Sequence, residues 1–332
     1  MIEIDGSHGE GGGQILRTAL AISAITAQPF RLHNIRKGRG QEGLSPQHLK
    51  AAETAARIAD ARVEGLRLHS TELSFYPTRL CPLNGQIDIG TAGSITLLLQ
   101  CILPILVHAP SSSSFSVKGG TDVRWSPSWD YLVHVAFLAL EQMGVKTKTH
   151  LVMRGYYPAG GGMVELEVFP SHLSARRFEC SDVPVVGNVH SFSLPQHIPE
   201  RIRASATEAL HESGYDADVR IEPTVAHTAG CGITLWRGTL GACALGKRGL
   251  PSEKVGQMAA QQLLGEIASR SGVDMYLADQ LIIYMALAGG GELTLREITE
   301  HTRTNVWTVQ RFMDVECTTH QEKGLIRMSI ST

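Results

Sequence analysis

The sequence predicts an α+β protein made of three copies of a βαβαββ unit, each laying helices on a four-stranded sheet. Together they form one large domain, and a smaller α+β domain is inserted between the second and third copies. Three observations carry this. Segments with a two-residue apolar period and segments with a helical period follow one another in the same order three times, in copies of roughly eighty to ninety residues. Glycine, at 34 residues, gathers into short runs, and the helix starts at Ser45-Pro46 and Ser126-Pro127 hold the same place in the first two copies. The chain from 178 to 270 fits no place in that order and has a pattern of its own. The expected boundaries are therefore 1–177 with 271–332 for the three-copy domain, and 178–270 for the insert.

The first copy opens with a strand over 1–5. Gly6-Ser7-His8-Gly9-Glu10-Gly11-Gly12-Gly13 follows, a turn in which a ligand can approach the backbone closely. Residues 14–27 have helical periodicity and 29–35 read as a strand. Ser45-Pro46 starts a second helix with proline in its first turn, ending at about 61. Strands over 63–68 and 72–76 close the unit. In the second copy a strand over 86–89 leads into the small-residue turn Gly90-Thr91-Ala92-Gly93-Ser94 and an apolar helix over 95–108. A strand over 114–118, the turn Gly119-Gly120-Thr121-Asp122, a helix from Ser126 to about 144, and strands over 147–154 and 163–169 complete it. In the third copy Tyr276-Leu277-Ala278-Asp279-Gln280 leads into a helix to 288, and three glycines at 289–291 break it. A strand over 292–296, a helix after His301 and strands near 315–320 and 325–330 follow. The insert reads as strands near 185–194 and 219–223, a helix over 198–212, more strands within 232–245 and a helix over 252–269. Pro170, Ser171 and Pro184 mark its entry as loop. Gly160-Gly161-Gly162 reads as a turn between strands, and fails as a G-x-G-x-x-G nucleotide loop.

Composition narrows the function. Hydrophobic residues are 43% and charged residues 19%, the proportions of a compact soluble chain. A net charge of −2 excludes a protein that coats polyanions with its whole surface. Any nucleic-acid site is then a local basic pocket, suited to an end of a strand. The cysteines, at 81, 101, 180, 231, 243 and 317, include no C-x-x-C pair, so reduced thiols are expected rather than a zinc site or a disulfide framework. The apolar run over 95–109 is too short for a bilayer and contains Gln100 and Pro104. The N-terminus enters a strand without a signal peptide. A cytoplasmic protein is expected, with no membrane association and no obligate protein partner evident; a homodimer is left open.

One stretch points to chemistry. Thr299-Glu300-His301-Thr302-Arg303-Thr304-Asn305-Val306 reads as a loop turning into a helix. Thr304 or Asn305 is the expected cap, with Val306, Val309, Phe312 and Met313 at helical spacing. His301 then lies just ahead of a helix N-terminus, whose partial positive charge disfavours imidazolium and favours a bound anion such as phosphate. A neutral imidazole nitrogen is a nucleophile. The competing reading of His301 by itself is an exposed loop histidine.

The surrounding blocks sharpen this. G-E-G-G-G-Q-I-L-R-T-A-L from Gly9, R-K-G-R from Arg36, G-T-A-G-S-I-T-L-L-L-Q from Gly90, G-G-T-D from Gly119, Y-P-A-G-G-G from Tyr157, Y-L-A-D-Q-L from Tyr276 and H-T-R-T-N-V from His301 resemble, in order and spacing, the blocks of the RNA 3′-terminal phosphate cyclases. The resemblance spans essentially the whole chain and is weakest in the insert. It implies three repeats plus an insert domain. It also implies ATP-dependent conversion of an RNA 3′-phosphate end to a 2′,3′-cyclic phosphodiester, with Mg²⁺ or Mn²⁺. A phosphate monoester is a poor electrophile because its leaving group would be oxide. AMP is transferred first to a histidine nitrogen and then to the 3′-phosphate, so that AMP leaves when the neighbouring 2′-hydroxyl attacks; proximity favours that last step.

By this resemblance His301 is the adenylated nucleophile. Gln100 is an ATP contact, where its residues alone give a polar side chain on a buried helix. Tyr276, Leu277, Ala278, Asp279 and Gln280 form the adenosine segment, Tyr276 flanking adenine and Asp279 bonding a ribose hydroxyl. Read alone, that segment is a helix start with Asp279 as dipole partner. Pro127 resembles the residue on the other adenine face, against the simpler reading of a Ser-Pro helix start. Glu10 is the metal carboxylate; an exposed loop acid is the alternative. Arg17, Arg36, Arg39 and Gln47 line the pocket for the triphosphate and the RNA terminus, arginine being suited to bidentate phosphate binding. Read alone, R-K-G-R is a solvated turn, and Lys37 belongs to that reading. His8, His33 and His48 follow no metal-ligand pattern. Two other functions are weighed. Non-catalytic cyclase-like proteins of ribosome assembly and RNA processing lack the nucleophile that this chain keeps at His301. Enolpyruvyl transferases have related repeats, but six units in two domains.

Overall fold

The computed structural model describes every residue except Arg39 and Lys323. The protein is a mixed α+β fold with four-stranded sheets. The first element group is β1 (Ile2–Asp5), α1 (Gln14–Thr26), β2 (Phe30–His33), α2 (Pro46–Ile58), β3 (Arg62–Glu64) and β4 (Leu73–Tyr76). Its sheet has the order β1-β2-β4-β3, with β1 and β2 parallel and the other neighbours antiparallel. β3 ends earlier than its sequence pattern suggests. Gly65 follows at φ +77, and a Cβ there would meet the Glu72 carbonyl at 2.3 Å, so the chain turns at once.

The second group is β5 (Asn84–Asp88), α3 (Ile95–Val107), β6 (Ser113–Gly119), α4 (Trp129–Tyr131), a π-helical turn (Leu132–Ala136), α5 (Phe137–Gln142), β7 (Lys146–Met153) and β8 (Gly162–Phe169). The sheet order is β5-β6-β8-β7, again with the first pair parallel. After β9 (Arg177–Phe178) come β10 (Val185–Phe192), α6 (His197–Glu212), β11 (Ala217–Glu222), β12 (Gly230–Arg237), β13 (Leu240–Leu245) and α7 (Ser252–Ser269), with the sheet order β11-β10-β12-β13. The chain ends in α8 (Met275–Leu287), β14 (Gly290–Leu295), α9 (Glu300–Gln310), β15 (Glu316–Glu322) and β16 (Leu325–Ser331). Here β14 returns to pair parallel with β9, and the sheet reads β9-β14-β16-β15.

Helices α1, α2, α3, α8 and α9 share one apolar core. α1 packs on α2, α3 and α9, and α8 packs on α9. α3 is the most apolar element, buried at Leu98, Leu99, Ile102 and Ile105 among others. Its start is fixed by Ser94, whose Oγ accepts from the Leu97 N–H. Pro104 sits inside it and has no N–H to return to the carbonyl of Gln100. The apolar residues of β10–β13, α6 and α7 form a cluster separate from the main one. No helix of the described residues is long and apolar enough to cross a membrane.

Candidate active site

His301 lies within a helix, where its sequence places it ahead of one. α9 begins at Glu300, and its cap is Thr299, whose Oγ1 accepts from the Thr302 N–H at 3.1 Å. Thr304 and Asn305 are interior positions. Asn305 accepts from Thr18 Oγ1 at 2.7 Å, and its Nδ2 donates to the Asp279 carbonyl at 2.7 Å, so its side chain ties three helices together and does not cap. His301 is thus in the first turn, where the dipole field is strongest.

Gln14 and Glu10 flank the His301 ring on its two nitrogen sides. Gln14, the first residue of α1, donates through Nε2 to Asp279 Oδ2 at 2.9 Å and to the His301 carbonyl at 3.1 Å. Both partners are acceptors, which fixes the orientation of the amide. Its Oε1, 2.5 Å from His301 Nδ1, can therefore only accept, and Nδ1 carries the hydrogen. On the other side, Nε2 lies 3.0 Å from Glu10 Oε2. The ring is 45% exposed. A carboxylate only accepts, so Nε2 donates to Glu10 while the ring is protonated; when that proton leaves, the lone pair falls to Nε2, because Nδ1–H stays with Gln14.

The other predicted residues cluster about this pair in part. Arg17, Gln100, Leu277, Asp279 and Gln280 line one cleft with Gln14. Burial pushes the Asp279 carboxyl up to about 7, against the pull of Arg17. Burial likewise lowers Arg17, opposed by Cys101 and Asp279. Gln280 donates to the Tyr276 carbonyl at 2.8 Å. Tyr276 itself is 47% exposed and Ala278 is fully buried, so Ala278 shapes the helix and offers no side chain to a ligand. Asp279 is not the dipole partner of α8. That part is taken by Asp274, whose carboxylate accepts from the Tyr276 and Leu277 N–H groups at 2.8 and 2.9 Å. Pro127 precedes the cap of α4, which is Ser128, so a proline-started helix does not account for it.

Gln47 does not reach into open space: its Oε1 accepts from the Ser94 N–H at 2.8 Å. Arg36 sits at φ +57 and donates to the Gly43 carbonyl at 3.1 Å. Arg39 lies outside the described residues. His48 is buried beneath the site, with Nδ1 2.7 Å from Ser45 Oγ. Burial, together with the charges of Arg17 and Arg36, pushes it down to about 3, so it is a neutral packing group.

These contacts bring helix N-termini together. Gln14 at the start of α1 meets His301 in the first turn of α9. Gly13, the residue before α1, lies against His48 in the first turn of α2. Gln47 of α2 holds Ser94, the cap of α3. Helix N-termini gathered this way, with Arg17 and Arg36 among the described residues, give the site a positive field of the kind that suits an anion. Glu10 adds one carboxylate. Among the described residues no cluster of three His, Cys, Asp or Glu side chains could cage a metal ion. A single carboxylate does suit Mg²⁺ or Mn²⁺, which share their shell with phosphate oxygens and water.

The sequence matches the family model described as RNA 3′-terminal phosphate cyclase over residues 8–319. The RNA 3′-terminal phosphate cyclase of Methanosarcina barkeri is 50% identical over 331 residues, covering 100% of both chains. The protein of the same name from Archaeoglobus fulgidus is 46% identical over 314 residues, 94% of this chain and 96% of its own. Among solved structures, the enolpyruvyl transferase NikO of Streptomyces tendae is 13% identical with a TM-score of 0.29, over 51% of this chain and 33% of its own. That likeness is too weak to weigh for or against either function.

Proposed function

The chain belongs to the RNA 3′-terminal phosphate cyclase family, and from that premise we propose that it converts an RNA 3′-phosphate end to a 2′,3′-cyclic phosphodiester, using ATP and a covalent His301–AMP. The observation that carries the reading is the clamp on His301 in the first turn of α9: Nδ1–H is bonded to Gln14, so the attacking nitrogen is Nε2, which lies beside Glu10. Nε2 attacks the α-phosphorus; an N–P bond forms and the bond to diphosphate breaks. An oxygen of the RNA 3′-phosphate then takes the AMP from the histidine. The 2′-hydroxyl attacks the activated phosphorus and AMP departs. The balance is one ATP consumed, with AMP and diphosphate released.

Each side chain has a part. Arg17 and Arg36, with Arg39, neutralise the triphosphate and the RNA terminus. Asp279, beside Gln14, is poised to bond a ribose hydroxyl. Gln100 and Gln280 line the same cleft, and Tyr276 and Pro127 flank the base. Glu10 would hold Mg²⁺ or Mn²⁺, which would supply positive charge to the phosphate oxygens. Gln47 acts through Ser94, by shaping the turn before α3. The domain reading belongs here too: three repeats over 1–177 and 271–332, and an insert over 178–270. Three sheets sharing one strand order and the separate apolar cluster of the β10–β13 sheet support it, except that Phe178, in β9 and in the main core, belongs with the repeats, so the insert starts after it.

The test is retention of label. Protein incubated with α-labelled ATP and a divalent metal, then denatured, is expected to keep acid-labile label. His301→Ala is expected to keep none while still binding ATP. A mutant labelled like the wild type overturns the assignment of the nucleophile. A wild type that takes no label favours the non-catalytic, RNA-processing kind of relative.

A further inference from the structure

Two residues proposed to face adenine, Tyr276 and Pro127, come from segments far apart in the chain, and one buried contact joins them. Asp274 is fully buried. Besides capping α8 through the Tyr276 and Leu277 N–H groups, it accepts from the Tyr131 hydroxyl with both oxygens, at 2.8 and 2.9 Å. It also accepts from the Gly241 N–H of β13 at 2.9 Å. Tyr131 is 2% exposed and begins one helical turn after Pro127. Its own N–H donates to Ser128 Oγ at 3.1 Å, and that hydroxyl lies 2.8 Å from Thr234 Oγ1 of β12. The Pro127 carbonyl in turn accepts from Thr96 Oγ1 at 2.9 Å. The tyrosine ring rests on bare backbone: a Cβ on Gly241 would lie 2.7 Å from its Cε2. Both walls therefore stand on the edge formed by β12 and β13.

We propose that Tyr131 and Asp274 are positioning residues whose hydrogen bond fixes the gap between Tyr276 and Pro127, and so sets the affinity and base selectivity for the nucleotide. This rests on the reading of the site as an ATP site. A planar base between two walls contributes stacking only at one spacing, and its edge meets fixed polar groups only if its plane is fixed. Neither side chain touches the reacting atoms, so the step of N–P bond formation keeps its intrinsic rate once nucleotide is bound.

The experiment compares wild type, Tyr131→Phe, Asp274→Asn and the double variant in single-turnover label uptake, with ATP and with GTP. Tyr131→Phe removes one hydroxyl and leaves the ring packing and the helix cap in place. The expected result for it is a KM for ATP raised about five- to twentyfold with kcat within about threefold, and an ATP-to-GTP preference that shrinks by a similar factor. The double variant is expected to be no worse than Asp274→Asn alone, because both act through one contact. Unchanged KM and unchanged preference in Tyr131→Phe overturn the proposal, whatever happens to its melting temperature. So does a fall in kcat alone, or simple additivity of the two substitutions. Absence of label on the wild type would instead strike the ATP reading on which the proposal stands.

Discussion

Replacing Gln14 by methionine tests the clamp on His301. Methionine keeps the length of the side chain and removes both polar atoms. Three contacts go: the donations to Asp279 Oδ2 and to the His301 carbonyl, and the acceptor for His301 Nδ1. At roughly 1 kcal/mol each the stability loss is about 2–4 kcal/mol, the upper end applying because acceptors are left without their donor. The kinetic loss is separable. In the adenylation proposed above, bonding of Nε2 to phosphorus makes the ring cationic, so its Nδ1–H donation would strengthen into a charge-assisted bond worth about 1.5–3 kcal/mol. That contribution exists chiefly in the transition state, so its loss slows adenylation about 10- to 100-fold at saturating ATP. Single-turnover uptake of label measures it, and a thermal melt confirms that the variant is folded. A folded Gln14→Met that labels within about threefold of the wild type refutes the argument that Gln14 selects the attacking nitrogen.

Gly13→Ala is expected to destabilise by about 1–3 kcal/mol or more, because its Cβ would lie 1.8 Å from His48 Nε2; urea unfolding measures it, and His48→Asn in the same chain should recover most of the loss. Two pH effects oppose each other. His48 is held down to about 3 against an ordinary 6.5, so only the unfolded chain takes up its proton between pH 7 and 5, and stability falls by about 2 kcal/mol as pH drops. Asp279 is pushed up to about 7 from 3.8, so in the same window the folded chain takes up the proton, and stability rises by about 2 kcal/mol as pH drops. Relative to the wild type, His48→Asn should therefore gain stability from pH 7 to 5 and Asp279→Asn should lose it, read from urea unfolding at the two pH values; equal slopes in all three proteins contradict both assignments.

The elements were legible because their causes are local. Apolar periodicity and capping residues predicted most helices to within a few residues, and Ser252–Ser269 to its ends, while α9 begins at Glu300, more than a turn before the expected cap, and a π-helical turn interrupts the helix expected from Ser126. Where the reading slipped, a side chain had a distant partner. Asn305 looks like a cap by sequence, but its hydrogen bonds run to Thr18 and to Asp279. Gln14 sits within a recognised block, yet at a helix start a glutamine reads as solvated; its partner His301 is 287 residues away. Asp274 was missed for the same reason, since its bond to Tyr131 crosses 143 residues. His48 offered no signal, because only the missing side chain of Gly13 makes room for its ring.

Chain direction explains why the site stands where it does. In each of the sheets containing β1, β5 and β9, two parallel strands lead outward to the same edge. A loop that leaves the carboxyl end of such a strand and enters a helix brings that helix's N-terminus to the edge, the place where open α/β sheets bind ligands. Glu10 lies between β1 and α1, Arg36 between β2 and α2, Pro127 between β6 and α4, and His301 just after β14 at the start of α9. The crossing from β9 to α8 is the long one, carrying β10–β13, α6 and α7 before Tyr276 is reached. Those strands therefore leave and rejoin the fold at the rim of the site, and the Gly241 N–H reaches the Asp274 carboxylate that caps α8. Placed on that one crossing, the added sheet buttresses the start of α8 through Asp274, while His301 is held by α1 and α9.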